Sequence, residues 1–447
     1  MTQIRIKHIA RAIILILLVA FASNICYKAL SWKDTTGGYL SAYSQLYHTP
    51  ENTMDVVFLG TSHVYCDIYP SILWRDYGVA GFDMAVSGQD RMSAYYSLKE
   101  LLKTQSPKIV LVDLFALHFD GQVDPANEYR NLMGMKYSKN MLDHVKAYDA
   151  NPNVNRVDYL LRFPIIHTRY KELTKYDFVQ YEPSVYGKGE DIYFENRAWN
   201  EGDEQAYSKT TEVAELSESE LQWLEDLKKL SKDYGFELGF TILPTNADDA
   251  LQARWNAVKL WTDENNIPLY DFNQQREIIG ITNQGDYLDA GHLNAFGAEK
   301  MSRFLYDTVL SPAGVKNHIG DKRYQSWEDN LKRFRHMQVK QNLASVRTRE
   351  DYLAIAETAE DLTILLSTAN GYTLYENGKT YELTAEQLTN GFALNLGKTD
   401  NAYIKKDLSK NQDTLLYNAE FVDSTTDGSK ILVYDNFLEE KMPMADF

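Results

Sequence analysis

The sequence is poor in cysteine and in positive charge. It has only two cysteines in 447 residues, Cys26 and Cys66. They lie in an apolar N-terminal segment and in a short polar motif, which excludes a disulfide framework and a zinc site built from cysteines. Lysine and arginine number 46 against 63 aspartates and glutamates, a formal net charge of −17. Because nucleic acids are bound through basic surfaces, we expect no nucleic-acid partner.

Long apolar runs are scarce as well, with one exception near the N-terminus. Residues 12–26 (AIILILLVAFASNIC) follow the basic residues Arg5, Lys7 and Arg11. With the four residues after it, the run reaches about the twenty residues that span a bilayer. We expect a signal anchor over 1–30, with a cleaved signal peptide or a buried core helix as alternatives. An anchor or a signal peptide would place the rest of the protein outside the cytoplasm, and the anchor that we expect would hold it at the cell membrane.

Short apolar runs alternate with helical patterns after a polar linker at 31–52. Strands are predicted at DVVFLG, GFDMAVSG, KIVLVDL, FELGFTILP and IPLYDF, with amphipathic helices between them. This alternation predicts an α/β domain over 53–312, with a doubly wound parallel sheet of about five strands. It stops between 119 and 215, which we predict to be an insertion. The many tyrosines there suit either a glycan-binding lid or ordinary packing.

The composition changes again after residue 312. Residues 313–350 are charged and helical in pattern, which predicts a connector. Residues 351–447 favour β-strands, and Asn377-Gly378 has the composition of a two-residue hairpin turn. We therefore expect a small β-rich accessory domain at the C-terminus, for binding or docking.

The stretch VVFLGTSHVYCDIYP (56–70) ends an apolar run with a polar tip. The run stops at Gly60, and Ser62 follows the first predicted strand at the start of a helix. In parallel sheets the functional groups gather at the carboxyl ends of the strands. Ser62 is therefore either a simple helix cap or a nucleophile.

A serine becomes a good nucleophile when a base takes its proton and a third group orients that base. Of the nine histidines, only His292 has an aspartate three residues before it, Asp289 in YLDAGHLNAF. The pair follows the fifth predicted strand, at the sheet end that would also hold Ser62. The sequence thus predicts that Ser62, His292 and Asp289 meet.

These residues resemble the blocks of the SGNH/GDSL hydrolase superfamily over about 53–310. FLGTSH stands at its Gly-Asp-Ser block, AVSGQ at its glycine block and DAGHLN at its Asp-x-x-His block. The resemblance implies a flavodoxin-like α/β fold with Ser62 as nucleophile, His292 as general base and Asp289 as the group that orients it. It also implies an oxyanion hole formed by the backbone amides of Ser62 and Gly88.

One block of that family departs in this chain. After the third strand the family usually has Gly-x-Asn-Asp, whose asparagine completes the oxyanion hole, whereas LVDLFALH offers Asp113. Either Gln89 is the substitute donor, or the oxyanion hole has only two donors. We predict His63, Asp113 and Asn294 as substrate-binding residues. No metal or other cofactor is expected.

The anchor and the altered block together resemble the membrane-anchored SGNH-type proteins of cell-envelope pathways, such as DltD-like and alginate-acetylation proteins. That resemblance implies a serine O-acyltransferase or acyl esterase acting on a cell-envelope glycan. A membrane-bound O-acyltransferase would then supply the acyl donor. The alternative is a non-catalytic binding or scaffold protein on the same fold.

Overall fold

The computed structural model describes residues 2–31, 39–119, 131–147, 156–178, 186–196, 207–368, 371–407, 412–424 and 429–444. The chain divides into two compact units, Met1–Glu328 and Asp329–Phe447. The division falls within 313–350, the segment predicted as a connector.

The first unit is built on a parallel sheet of five strands. These are β1 (Val56–Gly60), β2 (Gly81–Ala85), β3 (Ile109–Asp113), β4 (Glu237–Ile242) and β5 (Leu269–Asp271). They pair in the order β2-β1-β3-β4-β5, every neighbour parallel. All residues of β1, β2 and β3 are buried, as expected for a parallel sheet covered on both faces. The predicted mixed α/β fold with a five-stranded parallel sheet is confirmed.

Helices precede, connect and follow these strands. They are α1 (Thr2–Leu30), α2 (Tyr39–His48), α3 (Ser62–Asp67), α4 (Pro70–Tyr77), α5 (Arg91–Leu101), α6 (Lys139–Ala147), α7 (Arg156–Leu161), α8 (Phe163–Ile166), α9 (Glu218–Tyr234), α10 (Asp249–Asn265), α11 (Arg276–Ile279) and α12 (Ala295–Leu305). Short 3-10 turns cover Leu114–Phe119, His167–Lys171, Lys175–Phe178, Asn273–Gln275 and Lys322–Tyr324, and one π-turn covers Tyr306–Leu310.

Local signals in the sequence set several of these boundaries. α9 begins with a capping box in which Ser217 and Glu220 satisfy each other's backbone amides, and it ends at Gly235 in the left-handed conformation that glycine adopts without strain. Gly78 ends α4 in the same way. Within the predicted insertion, residues 120–130, 148–155, 179–185 and 197–206 lie outside the described residues.

The N-terminal helix α1 contains a span, Arg11–Leu30, long and apolar enough to cross a membrane. Every residue from Arg11 to Cys26 is exposed. A core helix would bury these side chains, so the structure argues against that alternative. A membrane anchor and a signal sequence are both consistent with such a helix.

The second unit is β-rich, as predicted. Its strands are β6 (Leu362–Thr368), β7 (Gly371–Glu376), β8 (Lys379–Leu383), β9 (Phe392–Leu396), β10 (Asp400–Asp407), β11 (Gln412–Tyr417), β12 (Glu420–Phe421), β13 (Ile431–Asp435) and β14 (Glu440–Lys441). They form two antiparallel sheets, β14-β13-β6-β7-β8 and β12-β11-β10-β9. The helices here are α13 (Gln325–Ser345, which begins before the division), α14 (Arg349–Thr358) and α15 (Ala385–Asn390).

One apolar cluster joins the two sheets of this unit, and a second packs the larger sheet against the helices. Leu365 and Tyr372 of the larger sheet share a core with Ile404 and Leu415 of the smaller one. The predicted hairpin turn is confirmed, because β7 and β8 pair directly across Asn377-Gly378, both in the left-handed conformation.

Candidate active site

The junction of β1 and α3 exposes a single serine. Between residues 56 and 74 every residue is buried except Ser62. Gly60 just before it has no room for a side chain, since a Cβ there would lie 2.8 Å from Val64 Cγ2 and 2.9 Å from Asp113 Cβ. The chain can therefore turn sharply out of the sheet and present the Ser62 hydroxyl at the surface.

A second loop, between α11 and α12, brings a histidine to this serine. Its two ends are held together by a β-bridge between Tyr287 and Leu293 and by a bond from the Leu288 amide to the His292 carbonyl, 2.9 Å. Asp289 and His292 lie on the tip of this hairpin-like loop. Its tip is thus a fixed turn.

Ser62, His292 and Asp289 form one continuous hydrogen-bonded chain. Ser62 Oγ lies 2.7 Å from His292 Nε2. His292 Nδ1 lies 2.9 Å from Asp289 Oδ1 and 3.0 Å from Oδ2. Because an ionised carboxylate only accepts, Nδ1 carries the proton and Nε2 is left to accept the serine hydroxyl. This is the orientation that a general base requires.

The charge of Asp289 is fixed by its surroundings. Burial alone would raise its pKa, but the hydrogen bond from the His292 ring and those from two amides outweigh burial and lower the pKa to about 2. The amides are those of Gly291, at 2.8 Å, and His292, at 3.0 Å. Asp289 is therefore ionised at neutral pH. The side chains of His292 and Asp289 are 23% and 37% exposed, so the chain of bonds borders solvent.

The substrate-binding role of His63 stays a prediction, and the structure places its ring inside the protein. Only 3% of the residue is exposed. Its ring centroid lies 3.9 Å from that of Phe115 and 4.6 Å from that of His292. Both ring nitrogens meet threonine hydroxyls, Nδ1 that of Thr61 at 3.1 Å and Nε2 that of Thr245 at 2.8 Å. His63 is therefore packed inside the protein, against the ring of His292.

The surroundings of His63 keep it neutral. Burial lowers its pKa well below the usual histidine value, and the neighbouring His292 ring lowers it further. A second positive charge beside His292 is thereby avoided. His63 contributes a flat, uncharged surface to the candidate site.

Asp113 is likewise buried, and its role in substrate binding stays a prediction. It is 1% exposed, and its carboxylate accepts the amides of Phe115, at 3.1 Å, and Leu243, at 3.2 Å. Burial raises its pKa to about 7 although both amides lower it. Asp113 thus ties the end of β3 to the end of β4 beneath Gly60.

Asn294 is a helix cap, and its role in substrate binding stays a prediction. Its side-chain oxygen accepts the amides of Phe296, at 3.0 Å, and Gly297, at 3.2 Å, at the start of α12. Its side-chain nitrogen donates to the carbonyls of Gly285, at 2.9 Å, and Tyr287, at 3.4 Å. The amide is fully used in holding the loop that carries His292.

The turn after β2 lies beside the junction of β1 and α3, which carries Ser62. The Val86 amide donates to the Gly60 carbonyl at 3.2 Å, and the Gln89 amide closes the turn on the Val86 carbonyl at 3.0 Å. Gly88 adopts a left-handed φ of 63°. Gln89 is completely buried, and within the described residues its side-chain amide has no hydrogen-bond partner. The oxyanion roles of Ser62, Gly88 and Gln89 stay predictions.

Two residues that the sequence did not single out also support the site. Asp67, in α3, accepts the Leu293 amide at 2.8 Å and so joins the serine helix to the histidine loop. Thr245 follows β4 and holds the His63 ring. The position of Thr245 at the carboxyl end of a parallel strand was an available signal. Nothing in the local sequence marks Asp67.

The described residues contain no group of three or more histidine, cysteine, aspartate or glutamate side chains able to hold a metal ion.

Comparisons with known proteins give little beyond this geometry. No protein-family model and no curated protein matches the chain. Among the eleven solved chains that match is a crystal structure at 2.00 Å resolution described as a "putative acylhydrolase" from Bacteroides fragilis. It is 11% identical, covers 61% of this chain and 95% of its own, and has a TM-score of 0.30. A likeness this distant carries no argument about activity.

Proposed function

We propose that the protein is a serine acyl esterase or O-acyltransferase of the SGNH type. The observation that carries the proposal is the hydrogen-bonded chain from Asp289 through His292 to the partly buried hydroxyl of Ser62. A structural serine cap has no need of a histidine whose tautomer is fixed by a carboxylate. A catalytic triad uses these three groups in this order for nucleophilic catalysis by serine.

The acylation step follows from these positions. Ser62 Oγ attacks the carbonyl carbon of an acyl donor while its proton passes to His292 Nε2. Asp289 stabilises the resulting imidazolium and stays ionised itself. The tetrahedral intermediate collapses as its bond to the leaving group breaks, and His292 returns the proton to that group. The product is an ester between the acyl group and Ser62.

Deacylation repeats the same proton transfers with a second nucleophile. A water molecule or a sugar hydroxyl gives its proton to His292 and attacks the acyl carbon. The bond to Ser62 then breaks, and Ser62 recovers the proton from His292. Water yields a free acid, whereas a sugar hydroxyl yields an acylated glycan.

The stacked ring of His63 favours the charged intermediate in both steps. A neutral aromatic face beside His292 attracts the imidazolium, as in other cation–π contacts. A protonated His63 would repel it instead. The low pKa of His63 therefore suits a base that becomes charged during each step.

The proposed setting is the outer face of a cell membrane. The exposed apolar helix α1 and the basic residues before it support a tether with the α/β unit outside the cytoplasm. We propose a cell-envelope glycan as acceptor and a membrane-bound O-acyltransferase as the source of acyl groups. This acceptor and this partner are proposed from the sequence resemblance alone.

Ester hydrolysis and transfer can be measured together on the full chain in detergent. Nitrophenyl acetate serves as acyl donor, and mass spectrometry detects acetylated oligosaccharide when one is added. We expect Ser62→Ala and His292→Ala each to lower kcat/KM by about a thousandfold or more. The matched controls are Ser106→Ala and His48→Ala, which change an exposed serine and an exposed histidine.

The two candidate functions predict opposite results. Turnover that is lost in the two site variants and kept in the two controls supports the enzyme. No turnover of either kind by folded wild-type protein, or equal turnover in Ser62→Ala, supports the scaffold instead.

A further inference from the structure

One surface of the first unit, away from Ser62 along the chain, exposes several large apolar side chains to solvent. It lies on α7, α8 and the two 3-10 turns that follow, between residues 157 and 178. Its large exposed side chains, with their exposed fractions, are Val157 (52%), Leu161 (61%), Phe163 (47%), Tyr170 (63%) and Phe178 (70%). We refer to these five as the outer apolar face. Such a density of exposed large apolar groups in a short segment marks an interaction surface.

Two arginines of the same segment are buried, whereas its residues Lys171 and Glu172 are exposed. Arg162 is 9% exposed and donates to the carbonyls of Met133 and Met135, both at 2.9 Å. Arg169 is also 9% exposed. Arginine side chains are mostly exposed in folded proteins, and large apolar side chains are mostly buried. Here the arrangement is reversed at these positions.

Arg169 links this segment directly to the end of α1. Its guanidinium donates to the carbonyls of Leu30, at 2.9 Å, and Ser31, at 2.7 Å, and to Asp177 Oδ1 at 2.9 Å. α8 and both 3-10 turns contact α1. Between Arg11 and Leu30 only Ala29 and Leu30 are buried, and both lie in the last turn of α1, next to the carbonyls that Arg169 binds.

The position of the outer apolar face follows from this link. If α1 crosses a membrane, its span ends at Leu30, which places Arg169 at the boundary between lipid and water. The side chains that surround that point then lie at headgroup level. Phenylalanine and tyrosine are suited to that depth because a ring can rest in the apolar layer.

We propose that the outer apolar face lies flat in the outer leaflet of the bilayer, as a second membrane contact beside α1. This inference rests on the tether in the proposed function and on none of its chemistry. The contact would hold the first unit in one orientation on the membrane. A single helix and a linker alone would leave the unit free to rotate.

The contact is apolar in character. The chain carries a net charge of −17, which is repelled by an anionic membrane surface. The five residues of the outer apolar face carry no charge. We therefore expect the contact to form on zwitterionic phosphatidylcholine and to persist in high salt.

Depth-dependent fluorescence quenching tests this contact on the full chain in phosphatidylcholine vesicles. Cys26→Ser removes the exposed thiol, and Cys66 is buried. Single cysteines at Leu161→Cys or Phe178→Cys then carry an environment-sensitive dye. Leu260→Cys is the matched control, since Leu260 is a leucine of α10 with a similar exposure of 52%. Ile16→Cys, inside the span, reports on α1 itself.

We expect the dyes at 161 and 178 to shift to shorter wavelength and to be quenched by a nitroxide near the headgroup more than by one at the bilayer centre. The dye at 260 should behave as in water. Dyes at 161 and 178 that match the dye at 260 would overturn the proposal and leave the face for a protein partner. A dye at 16 that no nitroxide quenches would show that α1 is not inserted, which overturns it too. Phosphonylation of Ser62 in the same vesicles reports separately on the chemistry.

Discussion

The ring of His63 is stacked on the ring of His292, with centroids 4.6 Å apart and planes inclined by 25°. His63 is itself clamped by hydroxyl groups of Thr61 and Thr245 and by Phe115 on its other side. The proposed base is therefore held from two directions. Asp289 fixes its edge, and His63 fixes the plane of its ring.

Removing the stacked ring should slow the reaction of Ser62. In His63→Ala the His292 ring can tilt away, and a misplacement of about 1 Å costs up to about a hundredfold in rate. We expect the maximal rate at which a fluorophosphonate phosphonylates Ser62 to fall. The concentration of fluorophosphonate at which half of that maximal rate is reached should change little. His63→Phe keeps a flat ring there, and it should retain more of the rate. Equal rates in His63→Ala and wild type would refute this role.

Replacing Asp289 with asparagine should remove most of the activity while leaving the loop in place. The asparagine oxygen can still accept the amides of Gly291 and His292. Its nitrogen is a donor, however, and forces the proton of His292 onto Nε2, where it cannot accept from Ser62. A loss on the order of ten-thousandfold in kcat is expected, as for the corresponding change in serine proteases. Because the pKa of Asp289 is about 2, its own protonation should not affect the rate between pH 5 and 9 (roughly the working range of such assays).

Asp67 provides a test of how the histidine loop is positioned. Burial raises its pKa well above the usual aspartate value, so we expect a neutral carboxyl group that asparagine can replace. Asp67→Asn should react at nearly the wild-type rate. Asp67→Ala leaves the Leu293 amide without its acceptor, at a cost of about 1–3 kcal/mol, and should slow phosphonylation. Thermal unfolding of both variants shows whether the loss is local, and a wild-type rate in Asp67→Ala would contradict the account.

The buried carboxyl group of Asp83 should make the stability of the protein depend on pH. It is completely buried in β2, and neither carboxylate oxygen has a hydrogen-bond partner within the described residues. Burial raises its pKa well above the usual value, and Glu190 raises it further. The folded state thus keeps a proton that the unfolded chain has lost. Stability from this group is fully present below about pH 4 and is lost as the pH rises through the folded-state pKa.

Asp83→Asn removes this dependence. Relative to wild type, its Tm should rise more at pH 8 than at pH 4, by about 2–4 °C for each kcal/mol relieved. Differential scanning fluorimetry across that range measures both proteins. A Tm difference that is the same at every pH would show that Asp83 does not titrate as described.

The sequence was sufficient for the local parts of this site. Gly60 ends a continuous apolar run, and the three-residue spacing of Asp289 and His292 puts both on one turn. Neither inference needs distant contacts. The alternation of strands and helices likewise predicted the parallel sheet. It thereby predicted that these residues meet at the carboxyl ends of the strands.

The orientation of individual side chains was not predictable in the same way. His63 follows Ser62, but successive residues of a helix point about 100° apart, and His63 therefore faces the interior. The cap formed by Asn294 was not predicted, although asparagine before a helix is a recognised cap signal. The bond between His63 and Thr245 joins residues far apart along the chain, and only the folded structure shows it.

The central claim is that Ser62 is an activated nucleophile, and intact-mass measurement of the full chain after treatment with a fluorophosphonate tests it most directly. We expect one adduct on wild-type protein, mapped to Ser62, absent in Ser62→Ala and strongly slowed in His292→Ala. Absence of an adduct on folded wild-type protein, or an adduct that persists in Ser62→Ala, would contradict the claim.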